Sequence, residues 1–143
     1  MSLENRNVLV TGATGFIGCR LAERLALEER ALVTGTGRKL DKAAALREAG
    51  VQLYNVDMRD PAALQEIVRG QEIVFHLVAA MGGASADPEV AQVLNVSAGE
   101  YLARGAAAAG VKRFVHVSTM AVYGPPDRDL ITEDHPQIGR AHV

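Results

Sequence analysis

The chain alternates short β-branched runs with stretches of helical spacing, and this alternation limits its possible folds more than any other feature. After the first run, apolar residues recur every four positions at Ile17, Leu21 and Leu25, as they do on one face of a helix. Asp60 and Pro61 form an N-cap and first-turn proline pair before a later helical stretch. The predicted strands are Asn7–Thr11, Ala31–Thr34, Val51–Val56, Ile73–Leu77 and Phe114–Ser118.

Strands that alternate with helices at this spacing form βαβ units, in which the crossover helices make the strands parallel. The predicted strands are nearly continuous apolar runs, as expected when both faces of a sheet are covered. A fourth helix is predicted from about Pro88 to Ala109, with Gly110 ending it. We therefore expect an α/β fold with a doubly wound parallel sheet of five strands in one domain of 143 residues.

A glycine-rich turn directly follows the first predicted strand and opens the first helix. Its glycines stand at positions 12, 15 and 18. Gly12 permits a tight strand-to-helix turn, Gly15 lets a phosphate approach the backbone, and Gly18 lets the helix pack close to the sheet. A pyrophosphate is then expected at the helix N-terminus, where unpaired N–H groups and the helix dipole favour an anion. At this junction of a βαβ chain, the turn predicts nucleotide binding in a Rossmann-type sheet.

The turn has Gly-x-x-Gly-x-x-Gly spacing, is preceded by Thr11 and ends in Gly-Phe-Ile-Gly, and it resembles the short-chain dehydrogenase/reductase family. The ending is similar to that of the extended branch, which includes nucleotide-sugar epimerases and dehydratases and steroid-dehydrogenase-like enzymes. The resemblance runs from about Asn7 to Gln137 and implies a nicotinamide dinucleotide as cofactor.

Further segments resemble the family in the same order along the chain. Asp57-Met58-Arg59-Asp60 resembles an Asp-x-Arg-Asp segment whose first Asp accepts a hydrogen bond from the adenine amino group. The end of the fourth strand resembles a His-Leu-Ala-Ala segment, in which small side chains leave room for the cofactor. The cofactor contacts implied in this way are Gly12, Thr14, Gly15, Phe16, Ile17, Gly18, Arg38, Asp57, Met58, Val78, Ala79, Ala80 and Asn95.

Two segments of the resemblance concern catalysis. Asn95 resembles an Asn on the fourth helix that supports the active site from behind, although the Gly that follows it is one position late and the family's Thr is missing. Thr119, four residues before Tyr123-Gly124, matches the catalytic hydroxyl, which donates a hydrogen bond to the reacting substrate oxygen. His76 and His116 lie inside apolar strands, so both are expected to be core histidines with satisfied hydrogen bonds.

The identity of the dinucleotide depends on the end of the second strand. NAD-preferring folds of this kind usually carry an acidic residue there, which binds the ribose 2′-hydroxyl. This chain instead has Arg38 and Lys39, whose positive charge suits a 2′-phosphate. The sequence therefore leans slightly toward NADP, although relatives with Gly-Arg at this place use either cofactor.

The Tyr-x-x-x-Lys motif that supplies the family's base is missing, since none of the three tyrosines has Lys at the fourth following place. In the family this Tyr comes about two dozen residues after the catalytic hydroxyl, beyond the last residue here. Ile138–Val143 resembles the translation of a widely used sequencing adapter, so we predict that this tail is not native. We expect residues 1–137 to be the N-terminal NAD(P)-binding part, truncated after about five strands. The substrate-binding lobe is expected to be absent, which would leave an apolar face exposed.

Composition narrows the range of partners and functions. The net charge of −2, the absence of a basic run and the 4% aromatic content disfavour nucleic acid and an anionic membrane as partners. A single cysteine, Cys19, excludes a disulfide within the chain and a multi-cysteine metal site. The chain has no leader and no apolar run long enough to span a bilayer, so a cytoplasmic location is expected.

Three interpretations of function remain open at this stage. In the first, the parent protein is an NAD(P)-dependent oxidoreductase, epimerase or dehydratase acting on a carbinol or carbonyl carbon. In the second, it is a non-catalytic module that senses NAD(P). In the third, this chain has no activity by itself. The resemblance implies dimerisation through helices four and five, of which only helix four falls in this chain. The oligomeric state therefore stays open, with a homodimer through helix four as one alternative.

Overall fold

A computed structural model describes residues 2–41, 43–80, 87–124 and 131–137 of the chain. The strands are β1 (Asn7–Thr11), β2 (Leu32–Thr36), β3 (Gln52–Tyr54), β4 (Ile73–His76) and β5 (Arg113–His116). The helices are α1 (Phe16–Leu27), α2 (Ala44–Glu48), α3 (Pro61–Ile67), α4 (Pro88–Gln92) and α5 (Ala98–Ala108). The predicted tail, Ile138–Val143, lies outside the described residues.

The five strands form one parallel sheet, as the alternating pattern predicts, and their order is β3-β2-β1-β4-β5. The chain moves outward from β1 to β3 on one side, then returns across β1 to build β4 and β5 on the other. Strand order therefore reverses between β1 and β4, and in such sheets ligands bind in the crevice at the carboxyl ends of those strands.

Two apolar clusters cover the two faces of the sheet because successive side chains of a strand point to opposite faces. Val8 and Val10 of β1 pack in a cluster with α1 and α2, whereas Leu9 packs with α3 and α5 on the other face. Leu64 and Leu102, from α3 and α5, are fully buried in the second cluster. The sheet thereby has a core on each side, which is the doubly wound arrangement.

The helix ends follow local sequence signals. Asp60 caps α3, its carboxylate accepting hydrogen bonds from the Ala62 and Ala63 N–H groups at 2.9 Å and 3.3 Å, with Pro61 at the first helical position. Gly110 follows α5 with φ +75°, the left-handed conformation predicted for a glycine after a helix end. Both predicted helix boundaries are confirmed.

The predicted fourth helix is not uniform. A π-helical turn over Val93–Ser97 separates α4 from α5. This turn has no local sequence signal, because residues suited to an α-helix are equally suited to a π-helical turn. Such turns are rare, and many occur at functional sites.

One face of β4 and β5 lacks a covering helix among the described residues. A groove of about 470 Å³ lies there between α1 and the sheet. Leu21 and Leu25 of α1 line it, together with Phe75 and Val115 of the sheet. Charged side chains also line the groove, so it is only partly apolar: Arg24, Glu28, Glu29 and Arg113.

Candidate cofactor site

The predicted site residues lie around the carboxyl ends of β1 and β4, at the reversal of strand order. Thr11 and His76, the last residues of those strands, are paired in the sheet. The glycine turn leaves β1 here, and Leu77 to Ala80 leave β4 beside it. Neither segment continues the sheet, and in sheets of this kind the ligand crevice is expected outside these strand ends.

The glycine turn requires its glycines at two places. Gly12 has φ +71°, and a Cβ there would lie 3.3 Å from Val78 Cγ2 and 3.4 Å from the Leu77 carbonyl carbon. A Cβ on Gly18 would overlap the carbonyl group of Gly12. The turn is therefore packed closely against its own helix and against the loop after β4, so that backbone, rather than side chains, faces the crevice.

The start of α1 suits an anion. Gly15 is the N-cap residue, and no side chain caps the helix there. The Gly15 N–H itself bonds the Gly12 carbonyl at 2.9 Å, and the first helical bond runs from Cys19 N–H to the Gly15 carbonyl. The N–H groups of the first turn therefore have no partner within the helix and lie at the positive end of its dipole.

Large apolar side chains stand exposed at the same helix end. Phe16 is 98% exposed and Ile17 59% exposed, although both belong to an otherwise amphipathic helix. Thr14, beside them, is half-buried and packs against Gly37, where a Cβ would overlap its side chain. Exposure of this size at an uncapped helix N-terminus fits a surface that a ligand covers.

Asn95 anchors the loop after β4. Its Oδ1 accepts a hydrogen bond from the Ala80 N–H at 2.7 Å, and its Nδ2 donates one to the Ala80 carbonyl at 3.2 Å. Asn95 itself lies in the π-helical turn. Its expected role, support of the active site from behind, stays a prediction.

In the segment after β3, the Asp57 side chain is exposed and the Met58 side chain is buried. The Asp57 carboxylate is exposed and paired with Arg59 at 2.7 Å, and the Arg59 side-chain and backbone donors lower the pKa of Asp57 to about 2. The Asp57 carboxylate is therefore ionised throughout the neutral range and available as an acceptor. The Met58 side chain is 7% exposed and packs in the core, so only the Met58 backbone is accessible to a ligand.

The end of β2 is tied to the glycine turn. The Ala13 N–H donates to the Thr36 carbonyl at 2.8 Å, which brings the residues after β2 beside the turn. Arg38 and Lys39 follow directly, and both are exposed. Their charges are therefore accessible on the side of the crevice where the resemblance implies the adenosine ribose.

Thr119 lies just after β5, beyond the β4 side of the crevice. It is half-buried, and its carbonyl accepts a hydrogen bond from the Val122 N–H at 3.3 Å in a short 3-10 turn, Met120–Tyr123. The Tyr123 ring meets the His135 ring edge to face at 5.9 Å, so the Tyr-Gly segment contacts the later loop.

The two histidines differ from the prediction in different ways. His76 is 1% exposed, as expected of a core residue, but its buried Nε2 has no hydrogen-bond partner among the described residues. His116 is exposed, so the prediction of a core histidine is wrong there. β5 is the last strand of the described sheet, and no described element covers its His116 end.

The structure also bears on metals and membranes. In the described ranges, no three His, Cys, Asp or Glu side chains lie close enough together to hold a metal ion. No described helix combines the length and the apolar character needed to cross a bilayer.

The profile of the NAD-dependent epimerase/dehydratase family matches residues 8–140. The chain belongs to this family. It is 35% identical over 130 residues to a 3β-hydroxysteroid dehydrogenase/Δ5→4-isomerase of Mycobacterium tuberculosis, covering 85% of this chain and 34% of that protein. It is 32% identical over 141 residues to a UDP-glucose 4-epimerase of Neisseria meningitidis, covering 92% of this chain and 42% of that one. The chain thus spans well under half the length of these relatives.

Solved structures of family members share the fold. A short-chain dehydrogenase/reductase superfamily protein from Agrobacterium tumefaciens, solved with bound NAD, superimposes with a TM-score of 0.79 at 33% identity, covering 92% of this chain and 39% of that one. The UDP-glucose 4-epimerase of Bifidobacterium longum, in complex with NAD⁺ and UDP, gives 0.79 at 25% identity, covering 93% and 43%. The Rossmann-type doubly wound sheet and the family resemblance predicted from sequence are confirmed.

Proposed function

We propose that this chain is the NAD(P)-binding part of an oxidoreductase or epimerase acting on a carbinol or carbonyl carbon of a small substrate, such as a nucleotide sugar. The observation that carries the proposal is the arrangement at the carboxyl ends of β1 and β4, where the strand order reverses. There the uncapped start of α1 and the glycine turn lie against the loop after β4, which Asn95 holds at Ala80.

The cofactor is held by backbone more than by side chains. The turn from Gly12 to Gly18 receives the pyrophosphate at the first N–H groups of α1, and Phe16 and Ile17 are covered when the dinucleotide binds. Asp57 accepts from the adenine amino group, while Val78 to Ala80 border the ribose and phosphates. When bound, the nicotinamide accepts or returns the hydride of the reacting carbon.

Thr119 is the proposed catalytic hydroxyl of this chain. It donates a hydrogen bond to the substrate oxygen that gains or loses a proton, and this bond strengthens as charge develops on that oxygen. The sequence contains no Tyr-x-x-x-Lys segment to supply the base. We therefore expect residues 1–137 to bind cofactor and to catalyse no turnover alone.

We propose a modest preference for NADP over NAD. Arg38 and Lys39 are exposed beside the glycine turn, and the residues after β2 include no acidic side chain before Asp41. A guanidinium pairs well with a phosphate, whereas a 2′-hydroxyl gains little from it. The same crevice accepts NAD, in keeping with the NAD-bound relatives.

A second copy of the chain is the proposed protein partner. Val96 in the π-helical turn is 49% exposed and Tyr101 in α5 is 41% exposed, although both are large and apolar. Pairing through these residues buries them. Sedimentation velocity across a concentration series tests this pairing, and Val96→Glu is expected to shift the chain toward monomer.

Titration of the purified chain with NADH and NADPH, followed by nucleotide fluorescence, tests the cofactor proposal. Gly15 is exposed, so Gly15→Asp places a negative charge at the anion site without disturbing the core. We expect Gly15→Asp to lower the affinity for both nucleotides at least about ten-fold. Gly15→Asn is the matched control of similar size without charge, and it is expected to bind more tightly than Gly15→Asp.

Arg38→Ala separates the two cofactors. This substitution is expected to lower the affinity for NADPH about ten-fold and to leave the affinity for NADH nearly unchanged, because only the 2′-phosphate pairs with the guanidinium. Arg104→Ala removes an equally exposed arginine on α5 and controls for net charge. A chain that circular dichroism shows to be folded and that binds neither nucleotide refutes the proposed function.

A further inference from the structure

Two buried polar side chains, Thr11 and His76, lie behind the crevice where β1 and β4 end. Thr11 Oγ1 is 2.8 Å from His76 Nδ1, and both residues are at most 1% exposed. The same Thr11 oxygen accepts a hydrogen bond from the Leu77 backbone N–H at 3.2 Å. One hydroxyl therefore joins the last residue of β4 to the first residue of the loop that borders the crevice.

The opening of the crevice explains why a side chain is needed there. Pairing of β1 with β4 ends at Thr11 and His76, because the chain turns away at Gly12. The next N–H along β4, that of Leu77, has no β1 backbone carbonyl continuing beside it. Thr11 Oγ1 takes the place of that acceptor, so the Leu77 N–H stays paired although the strands have separated.

The Thr11 oxygen accepts from Leu77 and bonds His76 Nδ1 in either neutral form of the ring. It donates its hydroxyl proton where Nδ1 carries a lone pair, and it accepts with its second lone pair where Nδ1 carries the proton. Burial, and secondarily the charge of His116, lowers the pKa of His76 to about 4, which keeps the ring neutral at pH 7.

The far side of the ring gives the histidine no comparable bond. Among the described residues Nε2 has no hydrogen-bond partner, and a Cβ on Gly99 would lie 3.5 Å from it. A buried polar atom without a partner lowers stability, so packing alone favours an apolar residue of similar volume at this position. The bond between Thr11 and Nδ1 is what a histidine provides here and a leucine does not.

We propose that His76 is a positioning residue of the dinucleotide site, which hydrogen-bonds the Thr11 hydroxyl through Nδ1 and so fixes Leu77 and the loop after it against the glycine turn. The inference rests on the proposed function, since the loop in question borders the cofactor crevice. His76 does not contact the cofactor. It acts through Thr11 and Leu77, and the Leu77 carbonyl carbon lies within 3.4 Å of an ideal Cβ on Gly12.

Substitutions at His76 separate positioning from packing. Asn carries an acceptor oxygen at the same distance from the backbone as Nδ1, whereas Leu fills space without an acceptor. We expect His76→Leu to weaken NADH binding about ten-fold and His76→Asn to restore most of the affinity. A purely structural role predicts the reverse order, because Asn leaves more space and adds an unpaired polar group to the core.

Thr11→Val removes the same link from the other side and replaces the hydroxyl by a methyl of similar size. Thr11→Val is expected to lower the affinity for NADH about ten-fold. The double variant with His76→Leu is expected to lower the affinity no further, because both substitutions break the same link from His76 through Thr11 to Leu77. Val74→Ala, which removes packing from the same strand and the same face two residues before His76, is the control and is expected to keep wild-type affinity while losing stability.

Hydrogen exchange of the Leu77 amide gives a readout that needs no nucleotide. Its exchange is expected to accelerate in both His76→Leu and Thr11→Val relative to the Val117 amide, which donates to the His76 carbonyl at 3.0 Å and serves as the internal reference. Unchanged Leu77 exchange in both variants overturns the inference.

The nucleotide titrations keep the two proposals distinguishable. If the wild-type chain binds no NADH, the proposed function fails and the positioning role fails with it. If the wild type binds and His76→Leu binds equally well, the positioning role alone fails.

Discussion

Acidification from pH 7.5 to 5 is expected to destabilise this chain through His76. The pKa of His76 is lowered from its ordinary 6.5 to about 4, first by burial and second by the charge of His116. Between these two values the unfolded chain binds a proton that the folded chain does not. The unfolding free energy therefore rises with pH in this window. The contribution of His76 to it is fully present above pH 6.5 and is lost as the pH falls toward 4.

The magnitude follows from the same two pKa values. At pH 5 an unfolded histidine of pKa 6.5 is almost fully protonated, whereas the buried one is about one-tenth protonated, and linkage gives a loss of about 2 kcal/mol relative to pH 7.5. That is a large part of the total stability of about 5–15 kcal/mol typical of a domain. Asp57 and Glu72, whose pKa values are lowered to about 2, lose their contributions mainly below pH 5.

Urea unfolding of wild type and His76→Asn at half-unit steps from pH 7.5 to 5 measures this term. The variant lacks the titrating group, so its unfolding free energy should fall by about 2 kcal/mol less over the range. His116→Gln removes the second contributor and should reduce the wild-type loss slightly. Equal pH dependence of wild type and His76→Asn would show that His76 does not titrate between these limits, and the reasoning from its burial would be refuted.

Three further outcomes follow from packing and capping. Gly18→Ala should destabilise the chain by about 3 kcal/mol and abolish measurable NADH binding in fluorescence titration, because its Cβ overlaps the Gly12 carbonyl; wild-type affinity would contradict this. Gly99→Ala, inside α5 and in ordinary contact with the His76 ring, should stabilise by about 0.5–1 kcal/mol in urea unfolding, and a loss would show that the space beside Nε2 is needed. Asp60→Ala removes the cap of α3 and should lower the unfolding free energy by about 1 kcal/mol in urea, whereas Asp60→Asn should keep most of the stability.

The features predictable from sequence are those that depend on residues near one another in the chain. The glycine turn, the Asp60 cap and the Gly110 helix end are each set by a few consecutive residues, and each was predicted where it lies. The parallel sheet was also predictable, because the βαβ alternation leaves few arrangements. The order of the strands was not among the predictions, because it depends on which distant strands pair.

The features that escaped prediction depend on contacts between distant residues. The π-helical turn at Val93–Ser97 has no local signature, and its consequence, the Asn95 bonds to Ala80, spans 15 residues of sequence. The apolar strand predicts a satisfied core histidine at position 76. Among the described residues its Nδ1 is bonded to Thr11, 65 residues away, and its Nε2 has no partner. His116 was misjudged because an apolar strand pattern does not reveal which end of a strand is left uncovered.

The cofactor crevice therefore combines a local element with one held by long-range contacts, and the two should respond to nucleotide as a unit. The glycine turn and the loop after β4 touch through Gly12 and Val78, and Thr11 bonds Leu77 across the same gap. A dinucleotide that spans both should stabilise the sheet pairing that joins β1 to β4, adding about 2.7 kcal/mol to the unfolding free energy at one hundred times its Kd.

Hydrogen exchange with and without NADH tests this coupling. The amides of Gly15 and Ala80, one in each segment, should slow together on binding, while those of α3 outside the crevice change only by the global amount. Slowing confined to Gly15 would contradict the coupling, because the nucleotide would then be held by the turn alone. In that case Asn95 and His76 would order a loop that the cofactor does not use.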